Sequence, residues 1–286
     1  MKHLYLVDGS GFIFRAFHAV RPLTRPDGTP VNAVYGFSQM LMKLVDDSDA
    51  DHIAIIFDAA RKTFRNEIYP DYKAHRPPPP DELMPQFSLV KEAAEAFGLP
   101  AIEMPGYEAD DIIATYARLG AEAGAKVTIV SSDKDLMQLV NENVTMLDTM
   151  KNRLIGKDEV HERFGVGPEK VVEVQALAGD SVDNVPGVPG IGVKTAALLI
   201  NEYGDLETLL ERAGEIKQNK RRENLLEFAD LARVSRSLVE LKQDVPVTSD
   251  LSEFVRKEMD IDRATAFLNE QGFKSIVTRL APDTAG

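Results

Sequence analysis

The chain has 286 residues, 44% of them hydrophobic and 28% charged, and its 33 lysines and arginines stand against 46 aspartates and glutamates, a formal charge of −13. This is the composition of a soluble globular protein of one or two domains, and the lack of any cysteine excludes disulfides, zinc–thiolate centres and thiol nucleophiles. The N-terminus, MKHLYLVDGSG, lacks the apolar stretch of a signal peptide, and no apolar run reaches the ~18 residues of a membrane span. A cytoplasmic protein with no membrane partner is therefore expected, and the net acidity argues at first sight against nucleic acid as well.

In chain order, His3–Val7 reads as a short buried strand ending in Asp8-Gly9-Ser10-Gly11. Ala33–Val45 has helical periodicity, with apolar residues at Val34, Phe37, Leu41, Leu44 and Val45. His52–Phe57 reads as a second strand, ending at Asp58. Leu83–Phe97 and Glu108–Ala123 read as amphipathic helices. Lys126–Val130 is a third strand, followed by Ser131-Ser132-Asp133, and Val144–Leu147 and Arg153–Ile155 are shorter ones. Strands alternating with helices predict an α/β core, a mainly parallel sheet with helices on both faces. After about Gly156 the pattern turns helical, with turn signals at Gly165–Pro168 and Pro186–Gly192. The expected division is a core at 1–156, a helical lobe at 157–280, and a linker or tail at 281–286. Within the lobe, Ala264–Leu268 continues the helical pattern and Phe273–Val277 reads as a strand. Pro77–Pro80 reads as a stiff polyproline spacer, a direct functional role fitting equally.

Asp8, Asp58 and Asp133 each end a predicted strand. The carboxyl ends of parallel strands form the ligand crevice of an open sheet, so three aspartates distant in sequence are delivered to one edge. Any one of them alone reads equally as a helix N-cap or turn residue. Glu108, Asp110 and Asp111 open a predicted helix, where acids also suit the macrodipole. Glu108 and Asp111, three residues apart, share a helix face. Asp133 with Asp135, and Asp180 with Asp183, add two pairs. If all nine converge they require cations, and oxygen-only ligation selects magnesium or manganese. Two such ions about 3.5–4 Å apart would form a phosphoryl-transfer site. The run Asp46–Asp51 reads instead as a solvated loop.

Residues 61–76 carry five cations (Arg61, Lys62, Arg65, Lys73, Arg76) against two acids, with Phe64, Tyr69 and Tyr72 interleaved. Cations track phosphates and aromatic rings stack on bases, so this mixture suits a single strand of nucleic acid; a solvated loop with packed aromatics fits equally. Arg212, Lys217, Lys220, Arg221 and Arg222 form a second patch with one acid, Glu215, suited to a duplex backbone. In PGVPGIGVKTAA, glycines 187, 190 and 192 precede a helix. Such a turn lets backbone N–H groups approach a phosphate, but Val193 interrupts the G-K-[ST] of a nucleotide-binding P-loop. It reads as a hairpin between two helices.

Five motifs now stand in order: LYLVDGSGFIFRAFHA, FDAARKTFRNEIYPDYKAHR, GYEADDIIATYA, SSDKDLMQLV and LAGDSVDNVPGVPGIGVKTAA. Together they resemble the flap endonuclease family, in the form of the 5′-to-3′ exonuclease domain that precedes the polymerase region in bacterial DNA polymerase I. The resemblance covers about residues 3–280. It implies an α/β core with a helical arch at about 61–97 and a helical lobe with a helix-hairpin-helix-type element. It implies metal-dependent hydrolysis of DNA at a 5′ flap, nick or 5′ end, for primer removal and repair, leaving 5′-phosphate and 3′-hydroxyl products. All nine carboxylates would be metal-site residues. Asp8, Asp58, Glu108, Asp110 and Asp111 would serve one ion, and Asp133, Asp135, Asp180 and Asp183 its neighbour. Lys73 and Arg76 would contact the scissile phosphate and Arg15 the 5′ end. Arg61, Lys62, Arg65, Tyr72, Lys194, Lys220, Arg221 and Arg222 would contact DNA, as would the hairpin glycines Gly187, Gly190 and Gly192, which would also carry a potassium ion. Two other readings are a catalytically silent DNA-binding module, which would lack several carboxylates, and a related acidic ribonuclease.

Overall fold

The computed structural model describes residues 1–281. Its centre is a six-stranded sheet: β1 (His3–Asp8), β2 (His52–Ile56), β3 (Ala101–Ile102), β4 (Lys126–Val130), β5 (Val144–Asp148) and β6 (Arg153–Ile155). The spatial order is β3-β2-β1-β4-β5-β6; all neighbours are parallel except β6, which returns antiparallel along β5. Every residue of β1 and β2 is buried, as expected of parallel strands covered on both faces. Alternation sorts the side chains. Leu4, Leu6, Ala54, Ile56, Val127 and Ile129 face one apolar cluster, while Tyr5, Val7, Ile53, Ile55 and Phe57 face the other.

On the second face lie α1 (Gly9–Ala19), α2 (Asn32–Asp47) and α4 (Gln86–Ala96). The first face carries α5 (Ala109–Glu122). The same cluster continues into α6 (Lys157–Phe164), α7 (Val171–Ala178), α8 (Val193–Tyr203), α9 (Leu206–Glu211), α10 (Asn219–Glu227) and α11 (Ala229–Val239). The two parts of the chain therefore share one apolar core. After α11 the chain crosses back. Its helices α12 (Ile261–Glu270) and α13 (Lys274–Leu280) pack on the face of α2 and α4, through Ala264, Phe267, Leu268, Phe273 and Ile276. Residues 261–280, placed with the helical lobe from sequence, thus sit on the first part of the fold.

The strand expected at Phe273–Val277 is helical. Phe273, Ile276, Val277 and Leu280, at spacings of three, four and seven, all meet the same cluster. The expected arch also changes. Residues 86–96 belong to the core, with Val90 and Ala93 fully buried, which leaves about 58–82 over the site. That segment holds one short helix, α3 (Phe64–Ile68), capped by Thr63 and Asn66, followed by turns and Pro77–Pro80. Four successive residues without a backbone N–H cannot extend a helix. The tail expected at 281–286 lies outside the described residues apart from Ala281. Among the described residues no helix is long and apolar enough to cross a membrane.

Candidate metal centre

The strand order reverses at β1, whose neighbours are β2 on one side and β4 on the other. A crevice opens beyond the carboxyl ends of strands at such a switch point. Asp8 ends β1 there and caps α1, accepting the Gly11 N–H at 3.0 Å and the Ser131 hydroxyl at 2.9 Å. A Cβ on Gly11 would lie 2.9 Å from the Asp8 carboxylate, so only glycine lets the helix start this close. Asp133 follows β4 and caps a 3-10 turn at Lys134–Leu139, accepting the Asp135 N–H at 2.9 Å. Asp110 lies in the first turn of α5.

Two trios of carboxylates form. Asp8, Asp110 and Asp133 offer oxygens that all lie within 4.8 Å of one another, as do Asp135, Asp180 and Asp183. Asp133 thus joins the first cluster, not the second as expected. Burial raises the carboxyl of Asp8 above its usual range, with a further push from Asp58. Asp110 is raised well above it, by burial and then by Asp133, Asp8, Glu108 and Asp58. Asp133 is pushed up to about 6, by burial and then by Asp135. A cluster of this kind, all oxygen, all acid and strained by its own charge, fits hard divalent cations. In the second cluster the cations of the chain are already engaged. Lys134 contacts Asp135 and Asp180, and Arg76 pairs with Asp183. Asp180 is lowered because Lys134 outweighs its burial, whereas burial keeps Asp183 raised despite Lys73 and Arg76. Asp58 lines the same crevice and accepts the Ala109 N–H at 2.7 Å.

These shifts give a pH dependence. For Asp133 the folded pKa lies above the ordinary value near 4, so its contribution to stability is full below about 4 and is lost as pH rises through 6. For the lowered groups Asp180 and Glu108 the sign is opposite, and their contribution is lost as pH falls into and below the ordinary carboxylate range, beneath most of this window. In chelator, the thermal midpoint is expected to rise as pH is lowered from about 7.5 to about 5, and Asp133→Asn to flatten that rise. A midpoint that falls over this range would contradict the charge strain.

Asp111 does not join either cluster. It is fully buried, and its two oxygens accept from Arg65 Nη1 and Nη2 at 2.7 and 2.8 Å, from the Lys242 N–H at 2.9 Å and from the Glu108 N–H at 3.1 Å. Arg65, expected on DNA, is 1% exposed. Its remaining N–H groups reach Glu108 at 2.6 Å and the carbonyls of Leu238 and Glu240 at 2.7 and 3.1 Å. The pair joins the base of the arch, the start of α5 and the end of α11. Asp111→Asn is expected to destabilise the fold by roughly 3–5 kcal/mol, the cost of leaving a buried charge half paired, without changing how many divalent ions bind. Denaturant midpoints and a manganese titration check this.

Glu108 faces the crevice but is held by Arg65, the Tyr72 hydroxyl (3.0 Å) and the Lys73 ammonium. Burial would raise its pKa, and Lys73 and Arg65 together keep it lowered. Tyr72, also expected on DNA, is buried against Val185 and Leu238. The other expected contacts are more open. Arg61 is exposed, with Nη2 on the Arg76 carbonyl at 2.8 Å, and Lys62 is exposed beside it. Arg15 is half-buried, donating to the Thr149 hydroxyl at 2.9 Å over the Phe12 ring.

The glycine hairpin does connect two helices, α7 and α8. Gly187 (φ +62) is backed so tightly onto Gly179 that a Cβ would meet the Gly179 nitrogen at 2.5 Å. Asn224 of α10 donates to the Pro189 carbonyl at 2.9 Å, which brings the basic patch beside the hairpin. There Lys194 and Lys220 are exposed and Arg221 is half-buried, while Arg222 is spent on the Ile216 carbonyl and Asn219. Sequence reading passed over Ser10, Ser131, Lys134 and Gln175. Ser10 accepts the Asp58 N–H at 3.0 Å and Gln175 donates to Asp135 at 2.7 Å. Ser10, Ser131 and Lys134 lie within two residues of Asp8 or Asp133, which was the available signal; Gln175, five residues before Asp180, carried none.

Residues 3–165 match the family described as "5′-3′ exonuclease, N-terminal resolvase-like domain", and residues 166–262 match "5′-3′ exonuclease, C-terminal SAM fold". DNA polymerase I of Rhizobium leguminosarum is 57% identical over 98% of this chain, which spans 28% of that protein. A 5′-3′ exonuclease of Aquifex aeolicus is 40% identical over 97% of the chain and 94% of its own length. Among solved structures, the bacteriophage T5 5′-exonuclease with bound zinc superposes with a TM-score of 0.71 at 24% identity, covering 98% of this chain and all of that one. The catalytic core of Rad2 with DNA superposes at 0.65 and 18%, covering 98% and 93%. At these identities the two structures share the fold.

Proposed function

We propose, because this chain belongs to the 5′-3′ exonuclease family, that it hydrolyses DNA phosphodiesters near a 5′ end at two carboxylate clusters that hold magnesium or manganese. The family is one of metal-dependent nucleases, and the resolvase-like and helical parts are both present. The observation that carries the assignment is the pair of all-oxygen trios, Asp8/Asp110/Asp133 and Asp135/Asp180/Asp183, lining one crevice with Lys73 and Arg76. Divalent ions held there would lower the pKa of water and draw negative charge off the phosphate.

The side chains supply the rest. Lys73 and Arg76 lie on Glu108 and Asp183, and an incoming phosphate would take over those cations and be neutralised by them. Arg61 and Lys62 would follow the 5′ strand and Arg15 its terminus. The hairpin Gly187–Gly192 with Lys194, Lys220 and Arg221 would hold the duplex backbone, and the hairpin carbonyls would take a potassium ion. A 5′ flap or nick, with one strand under the arch and a duplex on the lobe, uses both basic patches at once. The products would carry a 5′ phosphate and a 3′ hydroxyl. A polymerase region following this chain would match the polymerase relatives, of which it spans about a third or less. Matched DNA and RNA flaps, a nick and a single strand, each 5′-labelled, test the substrate. Fastest cleavage of the DNA flap or nick near the junction supports it, and preference for RNA would favour the ribonuclease reading.

A further inference from the structure

Asn184 closes the GDSVDN motif and has no part in the chemistry above. Its backbone is left-handed (φ +55), a conformation that outside glycine only Lys73 (φ +55) and Asn152 share among the described residues. Asparagine tolerates it better than most side chains. Asn184 and Lys73 both lie where the arch meets the loop of the second cluster. That loop is braced: Asp180 and Val185 exchange backbone hydrogen bonds of 2.9 and 2.8 Å, and the Asp180 carboxylate accepts the Val182 N–H at 2.9 Å. From this base it grips the lysine turn on both sides. The Asn184 amide donates to the Asp71 carbonyl at 2.6 Å, and the Asp183 carbonyl accepts the Lys73 N–H at 2.8 Å.

We propose that Asn184 is a positioning residue for Lys73: its side-chain amide, aimed by a left-handed backbone, fixes the height of the lysine turn above the carboxylate clusters. It touches no reacting atom and acts through the turn. A phosphate contact misplaced by about 1 Å costs up to about a hundredfold in rate, so a single hydrogen bond at this point matters to turnover. The inference rests on the nuclease function proposed above.

Asn184→Gly separates the amide from the backbone, because glycine adopts φ +55 without strain. Initial rates on flap DNA in magnesium are measured for the parent, Asn184→Gly, Lys73→Ala and the double variant. Asn184→Gly is expected to lower kcat about tenfold with KM within about twofold, and to add less than about twofold once Lys73 is alanine. Asn184→Asp, which keeps the backbone but lacks the donor, is expected to behave like the glycine variant. In metal-free protein the Lys73 amide should exchange with solvent faster in Asn184→Gly than in the parent. Parental kcat in Asn184→Gly, or the same tenfold loss with and without Lys73, overturns the proposal and leaves the function standing. A parent that cleaves no flap overturns both.

Discussion

Asp110→Asn is expected to lower turnover on a flap substrate by about 10²–10³-fold or more and, in chelator, to raise the thermal midpoint by roughly 2–8 °C. The two effects have one cause. Asp110 stands among Asp133, Asp8, Glu108 and Asp58, and with burial these drive its carboxyl well above the usual range. The amide removes that repulsion and, with it, a metal ligand. Sites that concentrate like charge for function commonly give up stability for it. Asp8→Asn is the contrasting case. Asp8 also caps α1 and accepts from Ser131; the asparagine oxygen keeps the cap, but its NH2 would face the Ser131 hydroxyl, so relief of charge is offset by loss of that charge-assisted hydrogen bond. Steady-state rates in magnesium and thermal melts in chelator check both. A lower midpoint for metal-free Asp110→Asn would contradict the account.

Lys73→Ala is expected to cut kcat about a hundredfold with little change in KM, and to leave divalent-ion binding intact or tighter. The Lys73 ammonium sits on Glu108 and acts as a built-in counterion for the crevice; deleting it frees a carboxylate. Arg76→Ala should act in the same direction through Asp183. A manganese titration of the DNA-free proteins reads the binding and flap cleavage reads the rate. Weaker manganese binding in Lys73→Ala, or parental kcat, would contradict the assigned role.

Much of the architecture was legible because strand ends are marked by chemistry. His3–Val7, His52–Phe57 and Lys126–Val130 were apolar runs halted by aspartate, and all three became central strands whose ends meet at one edge. The helical pattern at Ala264–Leu268, which lies inside α12, and the hairpin between α7 and α8 were legible from periodicity and glycine placement. Phe273–Val277 was not, because a short apolar run cannot be told from a buried helix turn without knowing which face it meets. The two-residue strand Ala101–Ile102 carries too little pattern to be seen at all. In the site, sequence could count carboxylates but not sort them. Whether Asp111 faces metal or arginine depends on its rotation about α5 and on Arg65, 46 residues earlier. Arg65 itself looked like one more cation in a basic run. Only the fold shows that its guanidinium is enclosed by Glu108, Asp111 and two carbonyls.

The net charge of −13 pointed away from nucleic acid, and the distribution of charge reverses that inference. Six of the acids are gathered in two clusters that divalent ions would neutralise, while exposed cations stand at the arch and beside the hairpin. The most direct measurement is cleavage of a 5′-labelled DNA flap by the parent and by Asp110→Asn, in magnesium and in excess chelator. The account predicts a cut near the junction by the parent in magnesium, almost none in chelator, and almost none by Asp110→Asn in either. Undiminished cleavage in chelator, or by the Asp110 variant, would contradict it.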